Sequence, residues 1–277
     1  MFLFFLALLA FSACSKDRSK DRIRIGVLPD SCVLPLYSMT SVEVVPFMSA
    51  RERDTALQAG ELDGVMTDLV AVSLEALRGK PMKIVSLTES RFVIVGNSSF
   101  DENGTWTVGI SEHTVIEYLV DRLAAGHAVE KVAIPKVPLR MEMLKQGKIP
   151  LVCITDAMAW PLLQDGFVIL KDQRQSGIDA AVLAFTDTWL TASKNLLPGF
   201  CREWNRAVDD IKSDPDAYRE QLVSLVRLPE SAVRRYPMPE YRHITLPDPD
   251  AVTDVFDWYE TKYGARPDLS YDDIVYR

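Results

Sequence analysis

Strand-like and helix-like patterns alternate through the first two thirds of the chain. Short apolar runs such as residues 23–27 and 106–110 are separated by stretches whose apolar residues recur every three or four positions, up to about residue 171. This alternation is typical of βαβ units, in which crossover helices join parallel strands. The pattern predicts an α/β protein built on mainly parallel sheets flanked by helices.

The same pattern occurs twice, with about 85 residues between the copies. Residues 49–87 and 137–170 each read as helix, strand, helix and strand, and the strands GVMTD and LVCITD both reach a Thr-Asp pair. Further upstream, IRIGVLPDS and WTVGISEHT also correspond. Because ligands bind at the carboxyl ends of the strands in open α/β sheets, two such units predict two lobes that face a common cleft.

The first thirteen residues have the composition of an export signal. Residues 2–11 are uncharged and almost all apolar, too few to span a hydrocarbon core of about 30 Å, and Ser12, Ala13 and Cys14 follow. Small residues that end on a cysteine resemble the bacterial lipobox, whose cysteine is lipidated. We predict a signal peptide over residues 1–13, a lipidated (palmitate-bearing) Cys14 and a solvated tether over residues 14–22. The alternative is a plain secretory signal cut near Ala13, without the anchor.

Composition and charge narrow the classes of function. The chain has 277 residues, 48% of them hydrophobic and 25% charged, which is typical of a soluble globular protein. The net charge of −8 argues against a nucleic-acid partner. The cysteines after Cys14 and the three histidines are scattered, so we predict neither a metal site nor a cofactor. Phosphate loops, nucleophile elbows and Cys/His clusters are missing from the sequence, and we therefore expect no enzyme.

Several strings, taken in their order and spacing, resemble one known group of proteins. They are ERDTALQAGELDGVMTD, GISEHTVIEYLVDRL, RMEMLKQG, VLAFTD, DPDAYREQL and SYDDIVY. Together they are similar to the ABC-transporter substrate-binding lipoproteins of the nitrate, sulfonate, taurine and thiamine-pyrimidine-precursor group. The resemblance covers nearly the whole mature chain. It departs at residues 38–41, where members of the group usually carry a longer helix and loop.

This resemblance implies a type II periplasmic-binding-protein fold. Lobe one then comprises residues 23–92 and 178–277, lobe two comprises residues 93–177, and the chain crosses between them near residues 91–97 and 173–178. The helical tail, with Phe200, Trp204, Val208 and Ile211 at helical spacing, is expected to pack back onto lobe one.

The resemblance also implies a function. The chain would close on a small molecule by a hinge between its lobes and hand it to an ABC permease and its ATPase. We expect a monomer that is tethered to the outer, periplasmic face of the bacterial cell membrane. The alternatives are a ligand-sensing surface lipoprotein without a transporter and an enzyme of the same fold.

Polar residues in the turns after the first strand of each lobe are candidates for binding the ligand. Helix starts carry unsatisfied backbone N–H groups and partial positive charge, which suit a polar or anionic ligand group. The alternative for each residue is capping of the helix alone, and Thr114 with Glu117 fits a capping box. The candidates are Asp30, Ser31, Ser111, His113 and Thr114.

Four further residues are candidates, each with a structural alternative. Asp68 and Asp156 either cap helices or accept hydrogen bonds from a ligand. Trp160 either stacks on a heteroaromatic ring or lies in the core. Arg91 either meets an anion across the cleft or forms a hinge salt bridge. Because the expected lining is acidic, we predict a neutral or cationic heteroaromatic solute, pyrimidine- or thiamine-like, rather than a sulfonate or nitrate.

Overall fold

The structure is a computed structural model that describes residues 22–226 and 228–277. The predicted signal peptide and the lipidation of Cys14 lie outside the described residues. None of the helices in the described ranges is long and apolar enough to cross a membrane.

Ten strands form two five-stranded sheets in the described residues. The first sheet has the order β2-β1-β3-β10-β4 and the second has the order β7-β6-β8-β5-β9. The strands are β1 (Ile23–Val27), β2 (Val42–Pro46), β3 (Gly64–Asp68), β4 (Met82–Leu87), β5 (Phe92–Asn97), β6 (Trp106–Ile110), β7 (Val129–Ala133), β8 (Leu151–Thr155), β9 (Phe167–Asp172) and β10 (Ala181–Thr186).

Helices flank both sheets. The helices that follow the strands of the two repeats are α2 (Ala50–Gln58), α3 (Leu69–Leu77), α4 (Val115–Leu123), α5 (Val137–Lys145) and α6 (Asp156–Gln164), after the short α1 (Leu34–Tyr37). The tail contains α7 (Asp187–Ser193), α8 (Leu197–Ser213), α9 (Pro215–Arg219), α10 (Gln221–Leu225), α11 (Glu230–Val233), α12 (Pro249–Tyr263) and α13 (Tyr271–Ile274).

The predicted α/β fold with mainly parallel sheets is confirmed, with one antiparallel strand in each sheet. In the first sheet β10 runs antiparallel to both β3 and β4, and in the second β5 runs antiparallel to both β8 and β9. β5 and β10 are each the first strand after the chain crosses from one sheet to the other, over residues 88–91 and 173–180. Residues 92–97, which we expected at the first crossing, are already part of β5.

The strand register confirms the internal repeat and corrects one detail of it. Ile25 pairs with Gly64 in the first sheet as Val108 pairs with Leu151 in the second. Counting along the strands from these pairs makes Asp68 equivalent to Thr155. The two Thr-Asp pairs are therefore offset by one residue.

The tail packs differently along its length. The apolar side of α8, including Phe200 and Trp204, is buried against β1 and α1 of the first lobe, as its spacing predicted. In contrast, α12 contacts α3 of the first lobe and also α4 of the second. There the indole of Trp258 packs edge-on against Tyr118 at 5.3 Å between ring centroids. The tail is thus not confined to lobe one.

Candidate functional site

A cavity lies between the two lobes, at the carboxyl ends of β1, β3, β6 and β8. Its volume is about 100 Å³, whereas one water needs about 10–15 Å³ on this measure. The site therefore fits a small solute. Both lobes contribute polar and apolar lining side chains, among them Asp30, Arg53, Met66, Asp68, Phe92, Ser111, Thr114, Val115, Arg140, Thr155 and Met158.

Asp68 brings a buried carboxyl group to the first-lobe side of the cavity. It is the N-cap of α3, where its Oδ1 accepts a hydrogen bond from the backbone N–H of Ala71 at 2.8 Å. Burial raises the pKa of Asp68 to about 6, although the N–H groups of Ala71 and, across the cleft, Val115 oppose the shift. At neutral pH, keeping this buried carboxylate ionised costs free energy, and a cation or a hydrogen-bond donor from a ligand would reduce that cost.

Arg53 lies next to Asp68 on the same side. It is the fourth residue of α2 and is buried. Its guanidinium donates hydrogen bonds to the carbonyl oxygen of Met66 at 2.7 Å and to Oγ1 of Thr67 at 2.9 Å. It also forms a salt bridge with Asp54 at 2.7 Å. The charge of Arg53 is therefore neutralised within its own lobe.

Arg140 occupies the equivalent place in the second lobe, as the fourth residue of α5. It is fully buried and donates hydrogen bonds to the carbonyl oxygens of Ile134 at 3.0 Å and Cys153 at 2.6 Å and to Oγ of Ser111 at 2.9 Å. Burial lowers its pKa to about 10, so it stays cationic at neutral pH. Within residues 22–226 and 228–277, no acidic side chain lies within salt-bridge distance of it.

Neither arginine was predicted from the sequence, although the repeat carries a signal for both. Each is the fourth residue of the corresponding helix, and each lies over a glycine of the first strand of its lobe. A Cβ atom added to Gly26 would lie 3.0 Å from Cγ of Arg53, and one added to Gly109 would lie 3.1 Å from Cγ of Arg140. The matched glycines thus make room for the matched arginine side chains.

Hydroxyl groups complete the second-lobe side. Ser111 accepts the bond from Arg140 and donates to the carbonyl oxygen of Pro135 at 3.3 Å. Thr114 caps α4 by accepting from the N–H of Ile116 at 3.2 Å. The Oγ1 atom of Thr155 is buried and has no hydrogen-bond partner among the described residues. A buried hydroxyl without a partner is costly, and a polar ligand atom would satisfy it.

Of the predicted site residues, Asp30, Asp68, Ser111 and Thr114 line the cavity. Asp30 is buried and accepts a hydrogen bond from the hydroxyl of Ser90 at the first crossing. Ligand contact by these residues stays a prediction.

The other five predicted residues lie outside the cavity lining. Three lie at a neighbouring contact between the lobes, around Tyr236. The hydroxyl of Ser31 is 2.8 Å from that of Tyr236, and Asp156 accepts a hydrogen bond from Tyr236 at 3.1 Å. Trp160 donates to the carbonyl oxygen of Ala232 at 2.7 Å and packs edge-on against Tyr236.

His113 and Arg91 have other surroundings. His113 has a left-handed backbone, with φ of +56°, and its ring stacks on Tyr263 at 4.3 Å between centroids. Arg91 is 3.6 Å from Glu89 and faces a separate groove beside the first crossing. This contact corresponds to the hinge salt bridge that the sequence left open for Arg91.

Searches by sequence find no match: no protein-family model matches the chain, and no curated protein matches it. Solved structures do resemble it. The ligand-binding component of an ABC-type import system from Staphylococcus aureus, with zinc bound, has a TM-score of 0.79 and 16% identity, covering 93% of this chain and 97% of that one. Within residues 22–226 and 228–277, no group of three or more His, Cys, Asp or Glu side chains is placed to hold a metal ion.

Two further structures support the same fold. The periplasmic aliphatic sulphonate binding protein from Escherichia coli has a TM-score of 0.74 and 15% identity, covering 94% of this chain and 93% of that one. A Candida albicans protein described as exhibiting the generic periplasmic binding protein structural fold has a TM-score of 0.68 and 11% identity, covering 91% and 92%. At these identities the likeness establishes the fold alone. The chain has the periplasmic binding protein fold, and its structural neighbours include solute-binding components of ABC importers.

Proposed function

We propose that the chain captures a small solute between its two lobes and delivers it to an ABC permease and ATPase. The observation that carries this proposal is a single cavity into which both lobes bring buried charged side chains. Buried charges are costly unless they are paired, so their convergence on one cavity favours a polar ligand. The neighbours from ABC import systems support the same role.

We propose that this solute carries an anionic group and a hydrogen-bond-donating group at opposite ends. On the second-lobe side, the charge of Arg140 and the free hydroxyl of Thr155 favour an anion. On the first-lobe side, the carboxylates of Asp30 and Asp68 favour an amine or another donor.

The earlier preference for a pyrimidine- or thiamine-like solute rested on the acidic residues alone. Arg140 adds a positive charge to the lining that has no acidic partner among the described residues, whereas the charge of Arg53 is paired with Asp54. A sulfonate or carboxylate group is therefore compatible with the site. An aminoalkanesulfonate or an amino acid satisfies both sides, whereas a cationic heteroaromatic compound satisfies only the first-lobe side.

Native mass spectrometry of the purified protein tests capture directly, because a bound solute adds its mass to that of the chain. Isothermal calorimetry with taurine, ethanesulfonate and a hydroxymethylpyrimidine then tests the ligand class. We expect taurine to bind most tightly. Tight binding of the pyrimidine alone would reject the ligand class and leave capture intact, whereas no retained solute and no binding of any probe would reject capture.

A pair of variants tests the second-lobe side. Arg140→Gln removes a buried charge at the cavity. Arg122→Gln removes a charge that is 37% exposed and pairs with Asp254 of α12, away from the cavity lining. We expect Arg140→Gln to weaken binding of taurine by at least tenfold and Arg122→Gln to change it less than twofold, estimated from about 1.4 kcal/mol per tenfold. Equal effects would contradict an anion-binding second lobe.

We also propose that Cys14 anchors the protein to the outer face of the membrane, with the chain monomeric. Radiolabelled palmitate should enter the wild-type protein in a bacterial host but not Cys14→Ser. Label in the variant would reject the anchor. If a permease and an ATPase copurify with the protein from detergent extracts, the protein belongs to an importer. If neither copurifies, a sensor is favoured.

A further inference from the structure

A hydrogen-bonded cluster joins the two lobes beside the cavity. Tyr236, from the tail, places its hydroxyl 2.8 Å from Oγ of Ser31 in the first lobe and 3.1 Å from Oδ1 of Asp156 at the start of α6 in the second. Asp30, next to Ser31, accepts a hydrogen bond from Ser90 at the first crossing. We name these five residues the seam cluster. Its members come from both lobes, so a hinge motion changes their surroundings.

The seam cluster contains two carboxyl groups but no basic group. Asp30 is 4% exposed, and the carboxyl group of Asp156 lies inside the contact between α6 and Tyr236. In the described parts of the chain, neither has a lysine, arginine or histidine nitrogen within 4.0 Å. Asp30 is buried and Asp156 is half-buried, and two like charges in such surroundings without a counter-ion disfavour the doubly ionised state.

The groups around the pair do not supply that counter-ion. Arg174, at the second crossing, favours the ionised form of Asp156, but its guanidinium is bound to Asp172 at 2.9 Å and is 44% exposed. The hydroxyl of Tyr236 and the N–H of Ala157 at the start of α6 also favour the ionised form.

The remaining titratable neighbours are neutral or already paired. Burial and the nearby carboxylates raise the pKa of the Cys32 thiol and of the Tyr241 hydroxyl well above their usual values, so both stay protonated. Glu89, which also faces Tyr241, is bound by Arg242. None of these three groups supplies a positive charge that could offset the two carboxylates.

The balance of these effects is a higher pKa for both carboxyl groups. Burial, followed by the charge of Asp30, raises the pKa of Asp156 to about 7. Burial also raises the pKa of Asp30, against the hydrogen bond from Ser90. When the lobes separate, water reaches both groups, and their pKa values return toward about 3.9.

We propose that closure of the two lobes takes up one proton at the Asp30–Asp156 pair, so that the closed form, and with it retention of the solute, is favoured as the pH falls. This inference rests on the proposed function, because it treats the hinge motion as the step that retains the solute. No solute, metal ion or other partner is needed for the proton to bind.

The direction and size of the pH effect on closure follow from the coupling between proton binding and the open–closed equilibrium. The closed form has the raised pKa, so it binds more protons than the open form at pH values between about 4 and 7. Over that range the ratio of closed to open protein rises by up to about tenfold for each unit of falling pH. Above about pH 8 neither form holds the proton, and the ratio becomes constant.

Small-angle X-ray scattering of the ligand-free protein at about pH 5.5, 7 and 8.5 measures closure through the radius of gyration, and circular dichroism at each pH confirms that the chain is folded. We expect the smallest radius at the lowest pH. Asp156→Asn imitates the protonated group and should be compact at pH 7 and 8.5. The matched control is Asp165→Asn, at the other end of α6, where the carboxylate is 53% exposed and pairs with Lys145; it should behave as wild type.

The variant Tyr236→Phe provides a further test of the same proposal. It removes the hydrogen bond that lowers the pKa of Asp156, so the midpoint of closure should move to higher pH. A wild-type radius that is independent of pH, or an Asp156→Asn variant that keeps the wild-type profile, would overturn the proposal. If the protein still retains its solute in either case, the proposed function stands. Absence of any solute at all three pH values would overturn the function instead.

Discussion

Replacing Arg140 by Met tests whether this guanidinium holds the second-lobe side of the site together. Methionine has a similar apolar stem, so it keeps the contact over Gly109, but it donates no hydrogen bonds. The change therefore leaves the carbonyl oxygens of Ile134 and Cys153 and the hydroxyl of Ser111 without the donor that now serves all three.

The expected change in the free energy of unfolding combines two opposing effects. Each hydrogen bond from a charged donor contributes about 1.5–3 kcal/mol, and three are lost. Against this, methionine avoids burying a charge. Burial lowers the pKa of Arg140 from 12.5 to about 10, which corresponds to about 3 kcal/mol. The hydrogen bonds outweigh the burial, and we expect Arg140→Met to lower the free energy of unfolding by about 1.5–6 kcal/mol.

Urea unfolding followed by circular dichroism measures this loss, with Arg122→Met as the matched control. The guanidinium of Arg122 is 37% exposed and forms a surface pair with Asp254, for which about 0–1 kcal/mol is expected. A loss for Arg140→Met no larger than that for Arg122→Met would refute the reasoning. It would mean that the cost of burying an unpaired charge cancels its hydrogen bonds.

Two further predictions concern packing and thiol reactivity. Gly26→Ala should destabilise the protein by about 1–3 kcal/mol, and by more than Gly109→Ala does. The Cβ atom at position 26 would lie 2.6 Å from Leu62, whereas the nearest atoms at position 109 are 3.1 Å away. Equal thermal unfolding midpoints for the two variants would contradict this prediction. Burial raises the pKa of the Cys153 thiol to about 12. A thiol reagent at about pH 8 should therefore leave Cys153 unmodified in the native protein and modify it only in denaturant. Rapid labelling of Cys153 in the native protein, identified by peptide mass spectrometry, would contradict this prediction.

The fold was predictable because its signals are local and repeated. Strand and helix periods are set by which side chains must be buried, and the repeat fixed the order of elements in each lobe. Asp68 at the start of α3 was predictable for the same reason, since an aspartate directly after a buried strand suits a helix cap. The chain crossing before β5 was placed a few residues late because an apolar run does not reveal which sheet it joins.

The buried arginines were harder to predict from the sequence. An arginine in the first turns of an amphipathic helix normally points into water, and α5 has only a weak separation of polar and apolar positions along its nine residues. Arg140 is buried because Gly109 leaves space beneath it and because carbonyl oxygens from two separate segments converge on it. Gly109, Ile134 and Cys153 lie in separate segments of the second lobe, so only the folded chain brings them together around Arg140.

The offset between the two Thr-Asp pairs explains why the two lobes present different chemistry to the same cavity. In the first lobe the helix cap is Asp68, a carboxylate that lines the cavity. In the second lobe the equivalent cap position is Thr155, and the aspartate follows as the first residue of α6. This single-residue shift turns Asp156 away from the cavity to Tyr236 and leaves an uncharged hydroxyl, that of Thr155, on the same side of the cavity as Arg140. The second lobe therefore keeps its positive charge while the first is acidic, and the displaced carboxylate becomes part of the contact that we propose to be sensitive to pH.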